Sequence, residues 1–206
     1  APLTVINGQA QRLARRDVIG DDERARLGRI RGEVERIVEI VRQLMELGRQ
    51  HNVEKGELAL DQLIMNASDL VEDELEPRNI RLDIELPSPT PNLLANGQQI
   101  VQVLTNLLRN AAQAPEVNRI RVRAQQQEHE LILWVEDDGP GIPSAHHHKV
   151  FDPFFTTKPV GQGSGLGLSM VHRIINDHGG TIGVFDSALG GAGFEITLPT
   201  SETASA

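Results

Sequence analysis

The sequence predicts an α+β fold in which a two-helix hairpin precedes an α/β sandwich. Three observations carry that reading. Over the first quarter of the chain, apolar residues recur at alternating spacings of three and four, the period of helices packed along a narrow seam. From Glu57 onward, short alternating stretches take turns with longer helical ones, as in a sheet covered by helices. Glycine and proline gather between residues 138 and 165, where irregular backbone is expected.

In the first helix, Leu3, Ile6, Ala10 and Leu13 set the spacing. The stretch Asp17 to Asp22, with Gly20 inside it, breaks the pattern, and Asp21 or Asp22 is expected to cap the second helix. There Leu27, Ile30, Val34, Ile37, Val41 and Leu44 form a heptad seam flanked by Arg and Glu. Two narrow stripes find little to bury against within one chain. A four-helix bundle made by two chains is favoured over packing on the neighbouring domain. His51 to Gly56 reads as a polar link and 61–75 as a helix. Ile80, Leu82, Ile84 and Leu86 alternate with Arg81, Asp83 and Glu85 as a half-buried strand, ended by the prolines from Pro87 to Pro91. A strong helix is expected over Ile100–Ala114. A strand pair follows at Ile120–Ala124 and Leu131–Val135, then a helix at Gly165–Asp177 and two strands, Thr181–Phe185 and Phe194–Leu198.

Composition narrows the function. A net charge of -9 argues against general nucleic-acid binding, yet leaves nucleotide ligands open, because backbone amides and a metal ion hold phosphate without a basic surface. The absence of cysteine excludes disulfides and thiolate metal sites and fits a reducing compartment. No apolar run approaches the ~18 residues that span a bilayer, so a cytoplasmic location is expected for this chain.

Four segments carry chemistry. Asn106 and Asn110 lie four apart in a helix, so their amide oxygens share a face and could reach a hard cation. At Val135-Glu136-Asp137-Asp138-Gly139-Pro140-Gly141, a strand ends in a carboxylate that could accept from an exocyclic amine. Glycines there let backbone approach a flat base. Gly161 to Leu168 opens a helix with free amides, an anion site. It is not a Walker loop, since no Gly-Lys-Ser/Thr follows. Between them, Phe151 to Lys158 brings three phenylalanines that should fold onto something, as a lid or as a core anchor. His146-His147-His148 reads as a solvated loop rather than a metal site. His51, His129, His172 and His178 read as structural or surface residues.

Taken together and in this order, the four segments resemble those of sensor histidine kinases of two-component signalling, in the superfamily of gyrase-type, chaperone and mismatch-repair ATPases. The asparagine segment resembles the N box, and Asp137 to Gly141 the first glycine box. Phe151 to Lys158 resembles the F box, and Gly163 to Gly167 the second glycine box. Gly191-Ala192-Gly193-Phe194 resembles the closing glycine element. The Phe-Phe-Thr-Thr-Lys run is most like the nitrogen-regulator class.

The resemblance implies a dimerisation and phosphotransfer hairpin over 1–52, an ATP-binding catalytic domain over 53–201 and a disordered tail over 202–206. ATP and Mg2+ would be the cofactors, with Asn110 as the metal ligand and Asn110 and Lys158 as catalytic residues. Asn106, Asp137, Gly139, Gly141, Thr157, Gly163, Ser164, Gly165, Leu166 and Gly167 would join Asn110 in binding nucleotide. Asp137 would take the adenine amino group. Gln113 stands where some relatives place a cation, which Lys158 or Arg109 would replace. Ala1 to Thr4 resembles the end of an H box, which puts the phosphoacceptor histidine just upstream of this sequence. Implied partners are ATP or ADP, a response-regulator receiver domain and a second copy of the chain. An inner-membrane anchor in a longer protein is left open. The rivals are another ATPase or serine kinase of the superfamily, against which the heptad hairpin speaks, and a non-catalytic nucleotide-binding module, against which the full motif set speaks.

Overall fold

The computed structural model describes residues 8, 11–13, 20–48, 54–127, 129–158 and 163–200. Most of the expected first helix of the hairpin, most of the break after it, and the 202–206 tail lie outside the described residues, though residues 8 and 11–13 of that segment are helical. Helix α1, Asp21–Gly48, runs through the second heptad segment. Its cap differs from expectation. Because the helix already starts at Asp21, Gly20 takes the capping position, its amide donating to Glu23 Oε2 at 2.8 Å, while Asp22 pairs with Arg26 one turn on at 2.8 Å. Along the seam Val34 is buried, whereas Ile30, Ile37 and Val41 are each more than 40% exposed. No helix among the described residues is long and apolar enough to cross a membrane.

Strand β1, Gly56–Ala59, pairs antiparallel with β3, Asn92–Ala95, in a two-stranded sheet. The helix expected over 61–75 is divided. Helix α2 covers Leu60–Asp69 and the short α3 covers Glu72–Leu75. Ser68 Oγ donates back to the Ile64 carbonyl at 2.8 Å, a bond that loosens the last turn. The break turns Val71 and Leu75 into the core and leaves Leu70 exposed.

Strands β2 (Arg81–Glu85), β4 (Arg119–Gln127), β5 (Glu130–Asp137), β6 (Thr181–Asp186) and β7 (Ala192–Pro199) make a sheet in the order β2-β4-β5-β7-β6. The β2–β4 pair is parallel and the others are antiparallel. Helices α4 (Gly97–Ala112) and α5 (Gly167–Asp177) pack on the sheet, and α2 packs against α4 and β1. The core lies between these layers. Leu104, Leu107 and Leu108 of α4 are fully buried, as are Ile120, Leu131 and Ile196 of the sheet. Truncating any of these leucines to alanine should cost about 2–5 kcal/mol. The register fixes which residues reach the helices. Val122, Val135 and Phe194 lie side by side across three strands, and all three are buried. The intervening Arg121, Arg123, Trp134 and Glu136 point to the other face, where Arg123 stacks over the Trp134 ring at 4.8 Å.

Candidate functional site

Helix α4 begins at a well-formed cap, with Asn96 Oδ1 accepting from the Gln99 amide at 2.9 Å. Its buried stripe packs on the sheet, and the next face over looks into an open cavity of about 1420 Å³. Asn106 and Asn110 line that cavity and are half-buried. Among the described residues neither side-chain amide has a protein partner. Half-buried amides without partners are costly unless a ligand or water meets them.

At the end of β5 the pleat separates three consecutive acids. Glu136 points to the back face, 1% exposed, and is held by Arg121 at 3.1 Å, Arg123 at 2.8 Å and Ser187 at 3.2 Å. Burial alone would raise its carboxyl, but hydrogen bonds and charge from Arg123 and Arg121 outweigh that and hold it below the usual range. Asp138 is used up by backbone, its Oδ1 accepting from Asn118 and Arg119 at 2.8 and 2.9 Å. Asp137 points into the cavity. Its Oδ1 accepts from the Gly139 and Ala192 amides at 2.9 and 3.1 Å, which leaves Oδ2 for whatever fills the cavity that Asp137 lines. Burial pushes its carboxyl up, partly offset by those two amides, with Asp138 adding a small push upward. A carboxylate so placed is fixed, acceptor-only and poorly solvated, suited to an N–H donor.

The opposite wall is the glycine loop. Gly165 has φ +67°, and a Cβ there would lie 2.6 Å from the Phe154 carbonyl oxygen. Only glycine permits this crossing, which the Phe154 amide closes by donating to the Gly165 carbonyl at 2.9 Å. The loop delivers the N-terminus of α5, whose cap position, Leu166, makes no side-chain cap bond. Gly167 and Leu168 line the cavity, so first-turn amides face it, the arrangement that attracts anions. Of the three phenylalanines expected to fold onto something, two do and one does not. Phe151 anchors against Phe194, ring centroids 6.4 Å apart. Phe155 lines the cavity and packs on His146 at 5.4 Å. Phe154 stays exposed.

The far end of the cavity is cationic. Lys158 Nζ donates to Gln113 Oε1 at 2.7 Å, and Arg109 pairs through Nε with Glu74. Burial lowers the Lys158 ammonium, partly countered by the charge of Glu74. Arg78 reaches the carbonyls of Ala112 and Ala114 and so caps the C-terminus of α4.

Of the residues singled out from sequence, Asn106, Asn110, Asp137, Gly141, Thr157, Lys158, Gly163, Ser164, Gly165 and Gly167 line this one cavity. Two do not. Gly139 acts from behind, its amide holding Asp137. Leu166 is fully buried in the core, so only its backbone is near the loop. The histidine run also differs from a solvated loop: His146 and His147 are half-buried, and His147 Nε2 lies 2.8 Å from the Ile142 carbonyl. His178 is buried, bonded to the Ile174 carbonyl at 2.8 Å and the Asn96 amide at 3.1 Å, while His51 lies outside the described residues. Three contributors were given no role in the site by the sequence reading, although Gly191 and Ala192 fall in the closing glycine element. Gly191 sits against Gly139, where a Cβ would fall 2.5 Å from the Gly139 nitrogen; the paired glycines before β7 were its only signal. The Ala192 amide carries no side-chain signal at all. Thr105, whose buried hydroxyl has no partner among the described residues, lines the cavity beside Asn106.

The donor set suits a magnesium ion only in part. Among the described residues no three His, Cys, Asp or Glu side chains converge on one point. The free amide of Asn110 offers one neutral oxygen. A hard cation would therefore need phosphate and water oxygens for the rest of its shell, the usual mode for Mg2+.

Residues 95–202 match the family of histidine kinase-, DNA gyrase B- and HSP90-like ATPases. The chain is 33% identical over 203 residues to the sensor histidine kinase ZraS of Escherichia coli O157:H7, covering 98% of this chain and 44% of the relative. It is 34% identical over 222 residues to the sensory histidine kinase/phosphatase NtrB of Rhizobium leguminosarum bv. phaseoli, covering 99% of this chain and 56% of that protein. It thus spans about half the length of these relatives. The histidine kinase ThkA, solved in complex with the response regulator protein TrrA, superposes with a TM-score of 0.76 at 28% identity, over 97% of this chain and 58% of that one.

Proposed function

The chain belongs to the family of histidine kinase-, DNA gyrase B- and HSP90-like ATPases, and on that premise we propose that it is the ATP-binding module of a two-component sensor histidine kinase. The observation that carries the reading is convergence. A fixed, half-satisfied carboxylate, two free amides on one helical face, an uncapped helix N-terminus and the cations Arg109 and Lys158 line one cavity. In this reading Asp137 Oδ2 accepts from the exocyclic amine of adenine. The first-turn amides of α5 take phosphate oxygens, as do Lys158 and Arg109. Asn110 holds Mg2+, and Asn106 supports the phosphates. When bound, Mg2+ would supply charge neutralisation for the transferred group. The chain's own contribution is positioning, with donors preorganised in a poorly hydrated cavity. A histidine imidazole nitrogen attacks the γ-phosphorus, an N–P bond forms as the P–O bond breaks, and ADP leaves. The acceptor lies upstream of Ala1, and the phosphoryl group then passes to a response-regulator aspartate. Residues 1–52 serve as the dimerising hairpin and 53–201 as the catalytic domain.

The test is labelling with γ-labelled ATP of a chain extended N-terminally through its histidine. Acid-labile phosphate lost on Asn110→Ala is the expected result. Acid-stable phosphoserine would overturn the reading in favour of a serine kinase of the superfamily. Nucleotide binding with no transfer at all would mean a non-catalytic module.

A further inference from the structure

The cations at the far end of the cavity are joined by a chain of polar contacts that the nucleotide reading does not use. Glu74, on the short helix α3, does not line the cavity. One of its oxygens takes Arg109 Nε, and the other lies 3.5 Å from Gln113 Nε2. The carbonyl end of the same Gln113 amide accepts from Lys158 Nζ at 2.7 Å. The amide is thus oriented at both ends, its donor side toward a carboxylate and its acceptor side toward an ammonium. Flipping it would set NH2 against NH3+ and oxygen against carboxylate.

We propose that Glu74 and Gln113 are positioning residues that set Arg109 and Lys158 at the polyphosphate end of the cavity, a claim that rests on the nucleotide reading above. The geometry favours this over an incidental surface pair. Glu74 engages Arg109 through Nε alone. Among the described residues the two terminal guanidinium nitrogens have no partner, which leaves the pair that recognises phosphate bidentately facing the ligand. Lys158 sits on a long, rotamer-rich stem, and Gln113 is the one hydrogen-bond partner of its Nζ among the described residues. One bond removes much of that freedom before phosphate arrives. One acid set against two cations leaves net positive charge for phosphate. The burial that lowers the Lys158 ammonium is opposed by the same Glu74, so the acid also helps keep that lysine charged. Glu74 therefore serves both cations, one directly and one through Gln113.

The sign of one substitution separates positioning from simple charge competition. If Glu74 merely competed with phosphate, its removal would tighten triphosphate binding. Positioning requires the opposite. The experiment measures ATP and adenosine affinities, by calorimetry and NMR titration, for the wild type, Glu74→Ala, Gln113→Met and the double variant. Gln113→Met keeps the shape and the Arg109–Glu74 pair but removes the relay. Each single variant should weaken ATP about tenfold and leave adenosine affinity within about twofold. Because both residues act on Lys158, the total loss in the double variant, relative to wild type, should be smaller than the product of the two single losses. Unchanged or tighter ATP binding in Glu74→Ala would overturn the proposal. So would fully multiplicative losses in the double variant, or parallel loss of adenosine binding. A wild type that binds neither adenosine nor ATP would instead overturn the nucleotide reading on which the proposal stands.

Discussion

Substituting Gly191 with alanine tests how the Asp137 carboxylate is held. The added Cβ would fall on Asp137 Oδ1 and 2.5 Å from the Gly139 nitrogen. Neither is the loose end of a flexible side chain. Gly139 is backbone, and Asp137 is fixed by two amides. Reaching ordinary contact means moving the start of β7 by about 1 Å. That shift takes the Ala192 amide, now 3.1 Å from Oδ1, out of hydrogen-bond range. Losing one bond to a buried carboxylate costs about 1.5–3 kcal/mol, and the displaced backbone adds to it. The expected loss in urea unfolding is therefore about 2–4 kcal/mol, with nucleotide affinity falling in the surviving folded protein. Gly183→Ala is the control. It lies on the next strand with nothing within 4 Å of its added Cβ, and it should be neutral or stabilising by up to about 1 kcal/mol. A Gly191→Ala protein within about 0.5 kcal/mol of wild type would show that close packing at Gly191 does not hold Asp137 in place.

Two further outcomes follow from the other faces of the molecule. Glu136→Gln leaves Arg121 and Arg123 without their shared buried anion and should cost about 2–3 kcal/mol, discounted from the fully buried case because Arg123 is partly exposed. The folded-state pKa of Glu136 is depressed. Its contribution is therefore complete above the usual carboxylate range near ~4.3 and is lost as pH falls through the lower folded value. The pH dependence of stability in Glu136→Gln should accordingly be shallower than wild type in that acid window, and identical curves would exclude the assignment. Ile37→Glu should convert a dimeric wild type to monomer in sedimentation equilibrium, because Ile37 lies on the exposed seam of α1. A wild type that stays monomeric at high concentration would remove the bundle from the account.

Much of the fold could be read from the sequence because most of its elements are strongly periodic. The stripe of α4 and the alternation of β4, β5 and β7 leave one choice of face. What escaped was short or set by tertiary contacts. Strands β1 and β3 have four residues each and exist through pairing with each other. The break between α2 and α3 depends on where Val71 finds the core. The site followed the same division. Side chains in ordered motifs, such as Asn110 and Asp137, were legible because their chemistry is local to the segment. The Ala192 amide and Glu74 were not, since a backbone donor has no letter of its own and an acid on a short helix looks like any surface charge until folding brings it to Arg109. Leu166 misled in the opposite direction. It lies inside the glycine loop, yet its side chain belongs to the core.

Calorimetric titration of Mg2+-ATP into the wild type, Asn110→Ala and Asp137→Asn decides whether this cavity holds the nucleotide. Asparagine at 137 can keep both backbone donors through its amide oxygen, while its NH2 would face a bound adenine amine as a second donor. Asp137→Asn should thus stay folded, with its burial cost reduced, and lose affinity by tenfold or more, about 1.4 kcal/mol. Asn110→Ala should lose affinity chiefly in the presence of Mg2+ and change little when the metal is chelated. Saturable binding of Mg2+-ATP by the wild type, weakened in this pattern by the two substitutions, is the predicted result. Equal affinity in all three proteins, or no binding by the wild type, would contradict the account.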